Sequence, residues 1–312
     1  MLTQVHDKSD YRPFLKWAGG KSKLIHKYIK YLPQNIDKIK RYYEPFLGSG
    51  ALFFYLVNRY STIKSSYLTD INEELINTYQ CIQKNLDDVI LLLQEHEKKH
   101  NEYANYYKNN GYKSKNSKEK NQYYYKVRDE KYDSDIERAS RLIYLNRTCF
   151  NGLYRVNSQG TFNVPLGRYE NPKICQIDLL GLASQALSKA EVKTANFKEV
   201  LDYANSSDDF VYFDPPYHPI SKTSYFTAYN PHCFSEDDQK TLRDICATLA
   251  SRGVKVMVSN SHCKEIADIY REIGFQLHTI QAPRTINSNI KNRGMIYELL
   301  ITSFKYFYLP KQ

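Results

Sequence analysis

A carboxylate and an aromatic ring directly follow a strongly apolar stretch of the sequence. Residues 209–217 read DFVYFDPPY. The apolar run at 210–213 predicts a strand covered on both faces, and the two prolines end that strand because they cannot continue a hydrogen-bonded ladder. Asp214 and Tyr217 are therefore held on a stiff turn at the carboxyl end of a strand, where open α/β sheets place their ligands. We interpret this turn as a site that holds an amino group to be modified.

A glycine-containing turn is predicted between a strand and a helix earlier in the chain. Residues 42–50 read YYEPFLGSG, and the apolar residues 51–57 follow. Glycines at these positions allow the backbone to approach a ligand closely at a helix N-terminus. The third glycine of the dinucleotide fingerprint is missing. A pyrophosphate site is therefore disfavoured, and a nucleoside without phosphates fits better.

Two further polar features could serve such a ligand. Asp70 ends a predicted strand at 66–69 and lies 20 residues after Gly50, the spacing at which an acidic side chain reaches a ribose hydroxyl. Its alternative role is to cap the helix that begins near Asn72. The Gly19-Gly20-Lys21 turn could bring backbone N–H groups and an ammonium to an anion, although it could also be an ordinary turn before a helix over 24–32.

Composition limits the possible partners and compartment. The 312 residues include 44 basic and 34 acidic side chains, a formal net charge of +10, which favours a polyanionic partner such as nucleic acid. The 29 tyrosines could stack on bases or simply form a tyrosine-rich core. The six cysteines show no C-x-x-C pair, so we expect neither a zinc site nor a disulfide framework. No signal peptide or membrane-length apolar run is found, and we expect a reducing cytoplasm.

The middle of the chain departs from the α/β pattern. After a predicted helix at 85–98, residues 96–132 are dense in Lys, Asn and Tyr and form either a mobile solvated connection or a phosphate-contacting segment. A helix is predicted over 135–146. Within 147–169, extended pieces flank Ser158-Gln159-Gly160 and predict a hairpin. An arginine there could read guanine and an apolar side chain could wedge into a base stack, so recognition is favoured over an ordinary surface hairpin.

The α/β pattern resumes after Asn171. Strands are predicted at 192–197, 254–260, 275–281 and 295–304, the last of them antiparallel. Helices are predicted from Ser235, with Asp238 in capping-box position, and over 262–273. Residues 1–12 are expected to form a loose arm, and the polar segment 284–294 to be mobile.

Six motifs occur in one order from Phe14 to about Phe304. They are FLKWAGGK (14–21), EPFLGSG (44–50), DIN (70–72), FNGLYR (150–155), FNVPLGRY (162–169) and DPPY (214–217). In this order they resemble the Dam-type adenine-N6 DNA methyltransferases of bacteria and phages, which modify adenine in GATC. Each motif is modestly specific, but their joint order is highly so. The segment 96–132 looks longer than is usual in that family.

The resemblance also implies a fold class and a division of the chain into two domains. We expect an α/β protein with a Rossmann-like methyltransferase sheet, helices on both faces and a terminal antiparallel strand. An inserted, mostly helical DNA-recognition domain with a β-hairpin would occupy 85–171. The catalytic domain that binds S-adenosylmethionine would be discontinuous, over 13–84 and 172–308.

The resemblance also implies S-adenosylmethionine as methyl donor, with no metal. Asn196 stands where the family often has Asp, which puts that polar contact in doubt. The positions that match the family's cofactor contacts are Trp17, Lys21, Phe46, Gly48, Gly50, Asp70, Asn196, Phe197 and Asp214.

Double-stranded DNA is the partner that the resemblance implies, with a cognate restriction endonuclease as a possible second partner. Lys16 and Arg155 match guanine-reading positions, and Arg168 matches a phosphate contact. The residues that would probe or fill the bases around the displaced adenine are Phe150, Asn151, Leu153 and Pro165.

The expected mechanism places a flipped-out adenine at the DPPY turn, because N6 inside a duplex cannot reach the donor. Asp214 and the Pro215 carbonyl would accept hydrogen bonds from N6, and Tyr217 would stack on the ring. No covalent intermediate is needed.

Three other functions compete with this one. An amino-methyltransferase acting on RNA or on a protein glutamine could use the same turn, but the segment 147–169 argues against it. A nucleotide-dependent oxidoreductase conflicts with the incomplete glycine pattern. A catalytically silent DNA-binding protein conflicts with the intact motifs at 46–50 and 214–217.

Overall fold

The computed structural model describes residues 11–109, 122–218, 234–283 and 295–305 of the chain. The expectations of a loose arm over most of 1–12 and of a mobile segment at 284–294 fall outside these ranges, as does the middle of the Lys/Tyr-rich segment.

Two compact units divide the chain. Unit 1 comprises residues 1–22, 48–58 and 72–194, and unit 2 comprises residues 23–47, 59–71 and 195–312. The whole of the predicted recognition domain, 85–171, lies in unit 1, together with segments that we assigned to the catalytic domain. The predicted domain boundaries stay a prediction.

Seven strands form one sheet with the order β3-β2-β1-β4-β5-β7-β6. β1 is parallel to both β2 and β4, β4 is parallel to β5, and β7 is antiparallel to both β5 and β6. The α/β class and the terminal antiparallel strand are thereby confirmed. The strands are β1 (Arg41–Glu44), β2 (Ser65–Asp70), β3 (Ala190–Thr194), β4 (Asp209–Phe213), β5 (Lys255–Ser261), β6 (Gln276–Pro283) and β7 (Met295–Thr302).

The direction of the strand order reverses between β1 and β4. A crevice opens at such a point in doubly wound sheets because the connections on its two sides run to opposite faces. The carboxyl ends of β1 and β4 lead directly into the two turns that the sequence singled out, at 45–50 and 214–217.

Helices connect most of these strands. They are α1 (Ile25–Tyr28), α2 (Ala51–Arg59), α3 (Glu73–Lys84), α4 (Leu86–Asn109), α5 (Gln122–Asp129), α6 (Asp135–Thr148), α7 (Ile177–Leu187), α8 (Val200–Tyr203), α9 (Glu236–Ser251) and α10 (Lys264–Glu272). In the described part of the chain, no helix is both long and apolar enough to cross a membrane. The five cysteines in the same ranges are free thiols.

Several predicted boundaries need correction. The helix predicted over 24–32 is only the four-residue α1 between two 3₁₀ turns, whereas α4 continues well beyond residue 98, to Asn109. The strand predicted over 192–197 ends at Thr194, because Asn196 and Glu199 form a capping box that starts a 3₁₀ helix. The capping box predicted at Ser235 and Asp238 is confirmed.

β4 is the middle strand of the sheet, with β1 on one side and β5 on the other. All five of its residues are buried, as expected for a strand with neighbours on both sides. Its first residue, Asp209, is a fully buried carboxylate that accepts hydrogen bonds from Arg41 Nε at 2.6 Å and Nη2 at 3.1 Å. Backbone N–H groups of Asn205 and Ser206 donate to the same carboxylate, so its charge is compensated.

A buried histidine in unit 1 is expected to make stability depend on pH. Nδ1 of His96, on α4, lies 2.7 Å from the Tyr123 hydroxyl, and the ring stacks on Tyr144. Burial lowers the pKa of His96 to about 4. As the pH falls from about 6.5 towards 4, the unfolded chain takes up a proton that the folded chain does not, and stability is lost.

The expected loss is on the order of 2 kcal/mol at about pH 5, and it disappears above about pH 7. Urea unfolding of the wild type and of His96→Gln at the two pH values measures it. The free energy of unfolding should fall less with pH in the variant. An equal fall in both proteins would contradict the assignment.

Candidate active site

The carboxylate of Asp214 is oriented by the neighbouring strand in unit 2. Its Oδ1 accepts a hydrogen bond of 2.6 Å from the Ser259 hydroxyl, and Ser259 Oγ lies 2.9 Å from the Tyr212 hydroxyl. Ser259 and Tyr212 are buried on β5 and β4, whereas Asp214 is half-buried. A half-buried carboxylate that a buried hydroxyl group orients is a rigid hydrogen-bond acceptor.

The rest of the turn is fixed through its backbone. Pro216 O accepts from Gln239 Nε2 at 3.2 Å, and Asn260 Nδ2 in turn donates to Gln239 Oε1 at 2.9 Å. The backbone N–H of His218 donates to Asn260 Oδ1, and its carbonyl accepts from Ser261 Oγ. Sequence reasoning missed these residues. The signal was present, because a buried apolar strand that ends in Ser-Asn-Ser must find partners for three polar side chains.

Tyr217 presents its ring while its hydroxyl is anchored. The residue is 36% exposed, and its hydroxyl donates to Glu298 Oε2 at 2.9 Å. Burial of the hydroxyl, followed by the charges of Asp214 and Glu298, raises the pKa of Tyr217 well above its ordinary value. The phenol therefore stays protonated and remains a donor.

An aromatic pair, Phe46 and Phe197, lies in unit 2. Phe46, after β1, stacks on Phe197 with ring centroids 5.3 Å apart, and the rings of Phe213 and Phe234 meet Phe46 edge-on. Asn196, before Phe197, uses its side-chain oxygen to accept from Lys198 N at 3.0 Å. The structure thus brings Phe46 and Phe197 together, and it commits the Asn196 oxygen to a helix cap.

Asp70 ends β2, and its backbone carbonyl accepts from Ala195 N at 3.2 Å. Its alternative role as a helix cap is wrong, because Asn72 caps α3 by accepting from Leu75 N at 3.0 Å. Asp70 thus lies at the carboxyl end of β2, the edge of the sheet at which doubly wound folds bind their ligands.

Within unit 1, the glycine turn packs against the first motif. Gly48 has a φ of +48°, and a Cβ added there would lie 3.1 Å from Trp17 Cδ1. A Cβ at Gly20 would meet Trp17 O at 3.1 Å and Ser49 Oγ at 3.2 Å. Lys21 is buried, and its Nζ donates to Gly19 O. Trp17 and Gly20 therefore pack directly against the 48–50 turn, and at Gly48 glycine is required by space as well as by backbone conformation.

A buried asparagine joins two predicted DNA-contacting segments in unit 1. Asn146 Oδ1 accepts from Lys16 N at 2.9 Å, while Asn146 Nδ2 donates to Lys16 O at 2.7 Å and to Gly152 O at 3.1 Å. Gly152 lies so close to the Lys16 side chain that a Cβ added to Gly152 would be 2.5 Å from Lys16 Cδ. The first motif and the 150–155 motif are thus held together by one amide, a role that sequence reasoning missed.

The remaining predicted DNA contacts lie on the segment that follows. Phe150 is 47% exposed, and its backbone N–H donates to Pro165 O at 2.9 Å. Arg155 Nε donates across to Asn163 Oδ1 at 2.7 Å. Antiparallel bridges join Cys149 to Leu166 and Val156 to Phe162, so the predicted hairpin is present as isolated pairs and not as regular strands. Of the seven predicted residues, Leu153 is half-buried and six are exposed: Lys16, Phe150, Asn151, Arg155, Pro165 and Arg168.

Only one group of possible metal ligands is found among the described residues. Ligand atoms of His218, Cys263 and Glu265 all lie within 4.8 Å of one another.

The fold and the two turns define the class of protein. A sheet with this strand order, a glycine turn after β1 and an Asp-Pro-Pro-Tyr turn after β4 is a Rossmann-like methyltransferase sheet. The model of the D12 class N6 adenine-specific DNA methyltransferases matches residues 17–286. The chain belongs to this family, and the resemblance to Dam-type enzymes is confirmed.

Relatives match over nearly their whole length. The Type II methyltransferase M.MjaIII of Methanocaldococcus jannaschii is 39% identical over 303 residues, which cover 95% of this chain and 100% of the relative. M1.LlaDCHI of Lactococcus lactis subsp. cremoris, also named a Type II methyltransferase, is 40% identical over 306 residues, 96% of this chain and 97% of the relative. The DNA adenine methylase of Escherichia coli K12 is 32% identical over 292 residues, which cover 93% of this chain and 94% of the relative.

Proposed function

We propose that the enzyme transfers a methyl group from S-adenosylmethionine to N6 of an adenine flipped out of duplex DNA, within GATC. The observation that carries this proposal is the Asp-Pro-Pro-Tyr turn, in which Ser259 orients the Asp214 carboxylate and Glu298 anchors the Tyr217 hydroxyl. A planar amine needs an in-plane acceptor and a stacking surface, and this turn supplies both.

Asp214 makes the amine reactive. The lone pair of N6 is delocalised into the adenine ring, so the free base is a poor nucleophile. Hydrogen bonds from N6 to Asp214 and to the Pro215 carbonyl steer the nitrogen towards a tetrahedral geometry. The negative charge of Asp214 stabilises the positive charge that develops on nitrogen as the new N–C bond forms and the methyl–sulfur bond breaks, and N6 then loses one proton to water. Tyr217 stacks on the ring and fixes its orientation.

S-adenosylmethionine supplies an electrophilic methyl group on a sulfonium, and the described residues fit its other parts. In unit 1, Gly48 and Gly50 have left-handed φ and no side chain, so a ligand can approach their backbone closely, with Trp17 and Lys21 as the other positions that would contact it. In unit 2, Asp70 suits ribose hydroxyls, whereas Phe46 and Phe197 suit an adenine ring. Asn196 can contribute its amide N–H, because its oxygen already caps a helix.

Seven residues of unit 1, six of them exposed and Leu153 half-buried, support binding to DNA. Lys16 and Arg155 would read guanine, Arg168 would contact a phosphate, and Phe150, Asn151, Leu153 and Pro165 would probe or replace bases around the displaced adenine. The net charge of +10 favours the same partner. The Type II names of two relatives support a cognate endonuclease that cuts the same site.

Transfer of labelled methyl groups to duplex DNA, to RNA and to a glutamine peptide tests the proposal. We expect label in the duplex only, as N6-methyladenine. Single-base sequencing of methylation in cells that express the chain should place it in GATC, and that DNA should resist an endonuclease blocked by methylation there. Label in RNA or peptide alone would overturn the proposal.

Replacing Arg155 with alanine tests which residue gives the enzyme its sequence specificity on DNA. Because a bidentate contact to guanine discriminates by about 1–3 kcal/mol, the variant should accept substrates changed at one base pair of the site. Arg168→Ala is the matched control, since loss of a phosphate contact weakens all sequences alike. The measurement is kcat/KM on a panel of single-base variants. If Arg155→Ala lowered kcat/KM equally on every sequence, Arg155 would be a phosphate contact and not a guanine contact.

A further inference from the structure

Glu298, in the middle of β7, has a buried carboxylate that contacts the proposed catalytic turn. The residue is only 5% exposed and pairs with Ser261 of β5 on one side and Ile280 of β6 on the other. Its Oε2 accepts a hydrogen bond of 2.9 Å from the Tyr217 hydroxyl, and its Oε1 accepts one from the Tyr28 hydroxyl. Each carboxylate oxygen thus has a phenol donor.

Burying the Glu298 carboxylate is energetically unfavourable. Burial of a charge disfavours folding unless hydrogen bonds compensate it, and charge-assisted bonds from hydroxyl groups are the strong kind that can do so. A purely structural role would be met equally well by an apolar side chain between two phenylalanines. The arrangement indicates a requirement for a fixed hydroxyl position on one of the two tyrosines.

Tyr217 is the tyrosine whose position affects chemistry. Its residue exposure of 36% contrasts with the fully buried Tyr28. A ring that must receive a base on its face cannot be packed by protein on that face, so packing alone does not fix it. A hydrogen bond at the far end of the ring restricts both its tilt and its rotation about the side-chain bonds, and it leaves the face open.

The protonation states support this arrangement. Burial comes first among the causes that raise the pKa of Tyr217 and of Tyr28 well above ordinary values, and the Asp214 and Glu298 charges act in the same direction. Both hydroxyls therefore remain donors to Glu298 throughout the neutral and mildly alkaline range.

We propose that Glu298 is a positioning residue for methyl transfer, which holds the Tyr217 ring at the angle in which it stacks on the flipped adenine. The inference rests on the proposed function, because it takes the stacking role of Tyr217 from there. Glu298 itself touches neither the base nor the donor in this account.

Substitution of Glu298 by glutamine tests the proposal with little change of shape. Glutamine removes the charge and replaces one carboxylate oxygen with an NH2 group, so the charge-assisted hydrogen bonds to the two tyrosines become weaker neutral ones and Tyr217 is held less firmly. We expect kcat on duplex DNA to fall about tenfold, as for the loss of one charge-assisted hydrogen bond, with little change in the KM for DNA. Tyr217→Phe, which keeps the ring and removes only the hydroxyl, should reproduce this fall.

The double variant and a control separate positioning from stability. If the two residues act through one hydrogen bond, Glu298→Gln with Tyr217→Phe should be no slower than either single variant. Tyr28→Phe removes the other partner of Glu298. It should lower the melting temperature and leave kcat close to that of the wild type. Multiplicative losses in the double variant, or an equal loss of kcat in Tyr28→Phe, would overturn the proposal.

Fluorescence of duplex DNA with 2-aminopurine at the target position gives a readout independent of turnover. The wild type should raise the fluorescence on flipping and then quench part of it by stacking on Tyr217. Glu298→Gln and Tyr217→Phe should both show less quenching at equal occupancy. Unchanged fluorescence in both variants would overturn the positioning role. If the wild type neither methylates nor flips duplex DNA, the proposed function fails, and that outcome is distinct from a failure of the inference alone.

Discussion

Replacement of Asp214 by alanine is expected to lower kcat for methyl transfer by about a thousandfold or more. The carboxylate would be the only side-chain acceptor for N6 in the proposed mechanism, and Ser259 holds it in place. Duplex binding should change little, because the residues predicted to contact DNA all lie in unit 1 whereas Asp214 lies in unit 2. Single-turnover transfer of labelled methyl groups and a gel-shift assay measure the two properties separately.

Two further variants make this result specific. Asp214→Asn keeps the size of the side chain but removes its charge, and we expect a loss almost as large as that in Asp214→Ala. Ser259→Ala leaves the carboxylate in place without its hydroxyl partner, so we expect an intermediate loss of about tenfold. Near-normal turnover in Asp214→Ala would refute the catalytic role. Equal losses of duplex binding and turnover would mean that Asp214 acts in binding.

The turn at 214–217 could be predicted from sequence because its determinants are local. An apolar run of strand length specifies a buried strand, and two prolines end it at a defined residue. β4, Asp209–Phe213, contains the predicted run 210–213 and begins one residue earlier. The glycine turn at 48–50 was predictable for the same reason, since backbone conformation and close approach select glycine within a few residues of chain.

The residues that support the turn could not be assigned in this way. Glu298 lies 81 positions from Tyr217, and Ser259 lies 45 positions from Asp214. Which side chains meet at such separations depends on strand order and register. The antiparallel placement of β7 beside β5 decides it here. A polar residue in a strand signals that a partner exists, but it does not identify that partner.

The errors in the predicted elements have a similar origin. Apolar periodicity over 24–32 predicted a regular helix, yet the structure keeps only four α-helical residues between 3₁₀ turns. A short amphipathic stretch gains little from its own hydrogen bonds, so tertiary packing decides its form. The error at the end of β3 has a different origin, because the signal for the correct end is present in the local sequence. The pattern Asn-Phe-Lys-Glu at 196–199 is a readable capping box, and it marks the strand end that we placed too late.

Replacement of Gly48 by alanine is expected to weaken donor binding strongly, with a rise in the donor KM of about tenfold or more. The left-handed φ of +48° costs an alanine about 1–2 kcal/mol. The new methyl group would also lie 3.1 Å from Trp17 Cδ1, closer than nine in ten real contacts of a Cβ, so the indole or the turn must shift by a few tenths of an ångström. Since Trp17 and Gly48 are both proposed to hold the donor, either movement should disturb that site.

Gly274→Ala separates backbone strain from this local effect. Gly274 also has a left-handed φ, +76°, but an added Cβ there would meet nothing within 4 Å. Both variants should therefore lose a similar free energy of unfolding from strain, and only Gly48→Ala should change the donor KM. Isothermal titration with S-adenosylmethionine and thermal unfolding measure the two effects. Equal donor affinity in the two variants would show that the 48–50 turn does not hold the donor, because strain alone would then account for everything that the Gly48 substitution does.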